Sequence, residues 1–83
     1  VSPTVVVDAR GLRCPLPVIR LAAAARDAAP GALLTVLATD PAAEHDVPAW
    51  ARMRGHAVVG SEHDEAAGTW SLTVEVSGQA PAA

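Results

Sequence analysis

Val5-Val6-Val7-Asp8-Ala9-Arg10-Gly11-Leu12-Arg13-Cys14-Pro15-Leu16-Pro17-Val18 changes its periodicity partway along. Three consecutive β-branched residues, stopped by Asp8 and Gly11, read as a short buried strand. From Pro15 onward the apolar positions Val18, Leu21, Ala22, Ala25 and Ala28 recur at steps of three and four, which puts them on one helical face, with Arg20, Arg26 and Asp27 mostly off it. Ala29 would extend the stripe, and Pro30-Gly31 ends the helix there. A strand running into a helix predicts a right-handed crossover to a parallel partner. Leu33-Leu34-Thr35-Val36-Leu37-Ala38 supplies that partner, apolar on both faces and therefore expected at the centre of its sheet.

Working outward, the second strand stops at Thr39-Asp40-Pro41. Asp46 is placed to cap a second helix with Pro48 near its start, Trp50, Met53 and Val47 turned inward, and Gly55 as its end. Pro41 to His45 reads as a separate turn. His56 to Ser61 and Thr69 to Val76 read as two strands of a hairpin, the second carrying Trp70, Leu72, Val74 and Val76 on one side. Their connection, Glu62 to Gly68, is acidic, contains His63 and ends in Gly, so it is expected to project into solvent. The predicted fold class is α+β: a two-layer α/β sandwich of order βαβαββ, with a mixed four-stranded sheet and both helices on one face. One domain is expected over residues 1–83, with 79–83 as a disordered tail.

Composition limits what such a chain can do. Its 83 residues bury only roughly 60–65% of the surface that the unfolded chain exposes, so one compact core is expected. Six Arg and no Lys against nine acids give a formal charge of −3, which argues against a direct grip on nucleic acid. No apolar run is long enough to span a bilayer, and Val1 to Val7 lacks the basic start of a secretory signal. The expectation is a cytoplasmic protein with no membrane contact, in a compartment where a lone thiol stays reduced.

That thiol is Cys14, the only cysteine. It can make neither an internal disulfide nor, alone, a tetrahedral zinc site. Packing, an incidental surface thiol or a thiolate that does chemistry remain. Free Cys is among the most buried residue types, but the flanking Gly11, Arg10, Arg13, Pro15 and Pro17 are poor linings for an apolar pocket. With Pro15 as the first helical residue, Cys14 becomes the cap and its sulfur faces the amides of the first turn. That positive end, with Arg13 and Arg10, predicts a pKa lowered from ~8.5 into the range of roughly 3.5–7.5.

At these residues the chain resembles the TusA/SirA-like sulfur carriers, small bacterial proteins marked by Cys-Pro-x-Pro at the start of the first helix. The resemblance runs through Asp8-x-Arg10-Gly11-Leu12-Arg13-Cys14-Pro15-Leu16-Pro17, Pro30-Gly31, Asp40-Pro41-Ala42, Asp46-Val47-Pro48 and Gly55-His56. It implies a persulfide relay: Cys14 takes a sulfane sulfur from a cysteine desulfurase or rhodanese-type donor and passes it to a downstream thiol acceptor protein. The implied role is a persulfide sulfurtransferase or carrier rather than a stand-alone turnover enzyme, with no cofactor beyond the covalent persulfide sulfur. A chain with no second cysteine cannot resolve its own persulfide as a disulfide, which favours a carrier over a dithiol oxidoreductase. Members have been linked to tRNA wobble-uridine thiolation, molybdenum cofactor assembly and sulfur oxidation. Leu16 stands where the tRNA-thiolation members carry Glu, and Ala51 where some members carry a second cysteine.

Other residues carry weaker signals. His45, His56 and His63 match no familiar metal-ligand spacing, so no metal is expected. Asp40 is read as a cap for the turn at Pro41 or part of a partner surface, and His45-Asp46 as a solvated loop with a helix cap or a polar contribution beside Cys14. Trp50 and Trp70 are read as core. The second reading of the chain is a non-catalytic interaction or regulatory module on the same scaffold, which resembles the C-terminal domain of bacterial translation initiation factor three in its order of strands and helices.

Overall fold

A computed structural model describes residues 4–77, and the expectation of a disordered tail over 79–83 lies outside them. The elements are β1 (Thr4–Ala9), α1 (Leu16–Arg26), β2 (Leu33–Ala38), α2 (Ala43–Arg54), β3 (Ala57–Asp64) and β4 (Thr69–Glu75). They form one sheet in the order β1-β2-β4-β3. β1 and β2 are parallel, in a register that sets Ala9 beside Ala38. The other pairings are antiparallel. The α+β, βαβαββ architecture read from the sequence is therefore the one observed.

Burial alternates along β2: Leu34, Val36 and Ala38 are fully buried while Leu33, Thr35 and Leu37 are only half-covered. Both helices lie on the first of these faces. β2 is central, as expected, yet it is sealed on one side only. On the open side the hydroxyls of Thr35 and Thr73 pair at 2.8 Å across β2 and β4. The core is thin, as an alanine-rich chain requires: Leu21, Leu34, Val36, Val47, Leu72 and Val74 supply its volume, and Ala9, Ala38, Ala43 and Ala51 let the layers approach.

Several boundaries differ from the sequence reading. α1 ends at Arg26, short of Pro30-Gly31, because bonds from Asp27 N–H to Ala24 O and from Ala28 N–H to Ala25 O tighten its last turn and release the chain. Ala28 still packs on the core from outside the helix. Gly31, at φ +85°, then donates to Val76 O at 2.8 Å and brings the chain into register with the sheet.

α2 starts at Ala43, so Pro41 to His45 is not a separate turn and Asp46 is not the cap. A run of bonds from Ala43 N–H to Asp40 O, Glu44 N–H to Pro41 O and Asp46 N–H to Ala42 O winds the chain straight from Asp40 into the helix. Asp40 supplies the side-chain acceptor, its Oδ1 taking the Ala42 N–H at 3.0 Å. Pro48 sits inside the helix, where it deprives only the carbonyl of exposed Glu44 of its helical donor. The buried stripe is Ala43, Val47, Trp50 and Ala51, and on that phase Met53 is 78% exposed rather than inward. Gly55, at φ +78°, closes α2 with His56 N–H on Ala51 O and its own N–H on Arg52 O, a Schellman ending.

The hairpin is longer than predicted. β3 runs to Asp64 and β4 begins at Thr69, leaving only Glu65 to Gly68 as the turn. His63 is thus on a strand, its ring stacked on Trp70 at 4.0 Å and 9°. A β-bulge between Val58 and Gly60 shifts the phase of β3 by one residue, so that His63 lies opposite Trp70. Trp70 consequently lies half-exposed at the end of the sheet, whereas Trp50 is in the core.

Candidate functional site

Parallel pairing brings the carboxyl ends of β1 and β2 side by side, so the chain leaving Ala9 meets the chain leaving Ala38. The β1–α1 loop is tied to the β2–α2 loop at two points. Gly11 donates its N–H to Thr39 Oγ1 at 2.8 Å from a left-handed conformation, φ +81°. No atom crowds the position of a Cβ there, so backbone conformation and not space selects glycine. Cys14 donates its N–H to Asp40 Oδ2 at 2.9 Å. With Oδ1 on Ala42, the Asp40 carboxylate bridges the cysteine to the start of α2, and these two backbone bonds, aided by the charge of Arg13, hold its pKa below the usual range.

Cys14 is half-buried and packs against the core cluster. The Cys14–Pro15 peptide bond is cis, Pro15 is the residue before α1, and Leu16 is its first residue. The cysteine is therefore one position further from the helix than predicted. Pro15 and Pro17 carry no N–H, and the Leu16 N–H is spent on Arg13 O at 2.9 Å. Few donors of the first turn remain for the sulfur.

The electrostatics run opposite to the sequence expectation. Burial pushes the Cys14 thiol up to about 11, helped by the hydrogen-bonding Asp46 carboxylate and by the charges of Asp46 and Asp40. The expected help from arginine is directed elsewhere. Arg10 clasps Asp8 through Nε at 2.9 Å and Nη2 at 2.8 Å, holding that carboxyl down to about 2. Arg13 acts on Asp40.

Of the residues singled out in the sequence, Gly11, Arg13 and Asp40 line one shallow cleft of about 470 Å³ with Leu12, Thr39 and Pro41. Pro17 is buried under the site and Pro15 is exposed beside it. Asp46 faces the sulfur, whereas His45 has an 83% exposed side chain whose nearest charge is Glu44 at 3.8 Å. Sequence reasoning missed Thr39. Its signal was its place directly after β2, at the strand end that parallel pairing sets beside the loop from β1. Among the described residues no group of three or more His, Cys, Asp or Glu could hold a metal ion, and no helix is long and apolar enough to cross a membrane.

An α+β sandwich that presents one cysteine at the carboxyl end of a parallel strand pair, pinned through its own backbone, defines a class of small single-thiol proteins. The sequence model of the sulfurtransferase TusA family matches residues 5–76, and the chain belongs to that family. It is 46% identical over 69 residues to the sulfur carrier protein TusA of Pseudomonas aeruginosa strain PAO1, covering 83% of this chain and 85% of the relative. Against the sulfur carrier protein TusA of Pseudomonas putida strain W619 it is 41% identical over 69 residues, covering 83% and 84%. The crystal structure of a SirA-like protein from Desulfitobacterium hafniense superposes with a TM-score of 0.77 at 24% identity, covering 88% of this chain and 97% of that one, and shares its fold.

Proposed function

We propose that the protein carries sulfane sulfur on Cys14 as a persulfide. Support comes from the one thiol of a TusA-family chain being anchored by Asp40 at the mouth of the site. In the loading step the Cys14 sulfur attacks the terminal sulfur of a donor persulfide. The new S–S bond forms as the donor's own S–S bond breaks, and the donor leaves as a thiolate that takes up the proton lost by Cys14. Unloading repeats the exchange with the acceptor thiol as attacker and Cys14 as leaving group. No oxidant or cofactor enters either step. The donor is a cysteine desulfurase or a rhodanese-type protein, the acceptor is a thiol protein, and the setting is the cytoplasm.

The raised pKa holds the unloaded sulfur in reserve, and it makes Cys14 a slow leaving group. At rest the sulfur is a neutral thiol, poorly reactive toward chance electrophiles. A persulfide places its terminal sulfur about 2 Å further out along the S–S bond. Persulfides are also stronger acids than their parent thiols, so the loaded sulfur ionises more readily than the bare one.

Incubation with a cysteine desulfurase and cysteine and, separately, with a rhodanese-type protein and thiosulfate, followed by intact mass, tests the proposal. Wild type should gain one sulfur atom from at least one donor and Cys14→Ser none; an equal gain on both proteins, or none on wild type from either donor, rejects it.

A further inference from the structure

At the end of the sheet away from Cys14, an open cavity of about 410 Å³ lies between the carboxyl-terminal ends of α1 and α2. Its polar wall is made of Arg26, Arg54, Trp50, His56 and Ser77, and among the described residues no Asp or Glu lines it. Alanines of α1 together with Pro30 and Val76 supply an apolar remainder. In a chain of formal charge −3 this is a local concentration of positive charge.

Its charged side chains are both donors, the guanidinium groups of Arg26 and Arg54. No ion pair or side-chain hydrogen bond engages Arg26 or Arg54 among the described residues. Ser77 donates its backbone N–H to His56 Nδ1 at 3.0 Å, which leaves the ring proton of neutral His56 on Nε2, again a donor. Burial and the nearby Arg54 charge both favour that neutral form. The Trp50 side chain is in the core, and its Nε1 is the buried side-chain nitrogen that finds no partner among the described residues. A buried donor without an acceptor costs about 1–3 kcal/mol.

Helix-end placement explains part of this. An arginine in the last turn offsets the partial negative charge there, and both helices end with one. It does not explain why two guanidinium groups without a partner among the described residues line one cavity that no described carboxylate faces. The C-terminal carbonyls of α2 at Ala51 and Arg52 are already taken by His56 and Gly55, so they do not compete for the guanidinium of Arg54.

From this paired-arginine lining we infer a second site: the cavity binds a small oxyanion-bearing molecule, a phosphate or carboxylate held by Arg26 and Arg54, with its apolar part against the α1 alanines. The volume suits a small metabolite rather than a bare ion alone. The site does not depend on the sulfur chemistry of Cys14.

The test titrates 15N-labelled protein with inorganic phosphate and, separately, with acetate, at ionic strength held constant with chloride. Either anion should move the Trp50 indole N–H resonance saturably, with a Kd on the order of 1 mM, while the Trp70 resonance stays in place. Movement with phosphate alone or with acetate alone identifies which oxyanion is preferred. Arg26→Gln and Arg54→Gln should each weaken binding by about tenfold. Cys14→Ser should bind as wild type does, so the result is independent of whether the sulfur-carrier reading holds. No saturable shift with either anion on wild type, or an unchanged Kd in both arginine variants, overturns the inference.

Discussion

Replacing Asp46 with Asn removes a carboxylate from beside Cys14 while leaving a side chain of the same shape. Burial, the larger cause of the raised thiol pKa, stays in place, whereas the Asp46 hydrogen bond to the thiol and its charge are lost. With the wild-type pKa at about 11, only about one part in ten thousand of the thiol is ionised at pH 7. Solvent screens the exposed Asp46, so a fall of about one unit is expected, equivalent to about 1.4 kcal/mol. That raises the thiolate fraction about tenfold. Intrinsic nucleophilicity falls with basicity, with a Brønsted slope of about 0.4–0.5, and takes back about threefold of this. The net expectation is alkylation about three to four times faster at pH 7, read from a pH–rate profile with iodoacetamide or from thiolate absorbance in the ultraviolet. The variant midpoint should still lie above free cysteine at about 8.5, because desolvation remains. A wild-type midpoint at or below that value, or superimposable profiles for the two proteins, would refute the assignment of Asp46 and burial as the causes.

Three further outcomes follow from the same geometry. Asp40→Ala strips the acceptor from the Cys14 and Ala42 N–H groups and should lower the urea midpoint, with faster hydrogen exchange at the Cys14 amide than in wild type. Asp8 has its folded pKa lowered from 3.8 to about 2, so its stabilising contribution is present above 3.8 and is lost as pH falls toward 2; Arg10→Gln should flatten that part of the stability profile measured by thermal unfolding. Leu21→Ala opens a hole under α1 at a fully buried site and should lower stability by about 2–5 kcal/mol, measured as a shift in urea midpoint without a change in slope.

Much of the scaffold was legible because its signals are local. Leu33 to Ala38 was read residue for residue, since a continuous apolar run bounded by Gly31 and by Thr39-Asp40-Pro41 has few other meanings. Gly55 was read as the end of α2 because a left-handed residue there is a backbone requirement. The start of α2 was misplaced because Asp46 and Asp40 both satisfy the chemistry of a cap, and only the second lies where its carboxylate meets the amides of Ala42 and Cys14. Met53 is expected inside at a three-residue step from Val47 and Trp50, but the helical phase set by Val47, Trp50 and Ala51 turns it out. The length of β3 was missed because Glu62, His63 and Asp64 look like a solvated loop, and a β-bulge and the Trp70 ring are what keep them paired.

The sequence by itself determined the order of elements, the family and the single thiol on which any chemistry must rest, because periodicity, turn residues and the absence of a second cysteine are properties of the chain alone. The state of that thiol was decided only in three dimensions. Arg10 and Arg13 are its neighbours in the chain and Asp40 and Asp46 its neighbours in space, since parallel pairing of β1 and β2 carries the start of α2 against the cysteine loop while Arg10 turns back to Asp8. Charge acts through distance, and the fold sets the distances.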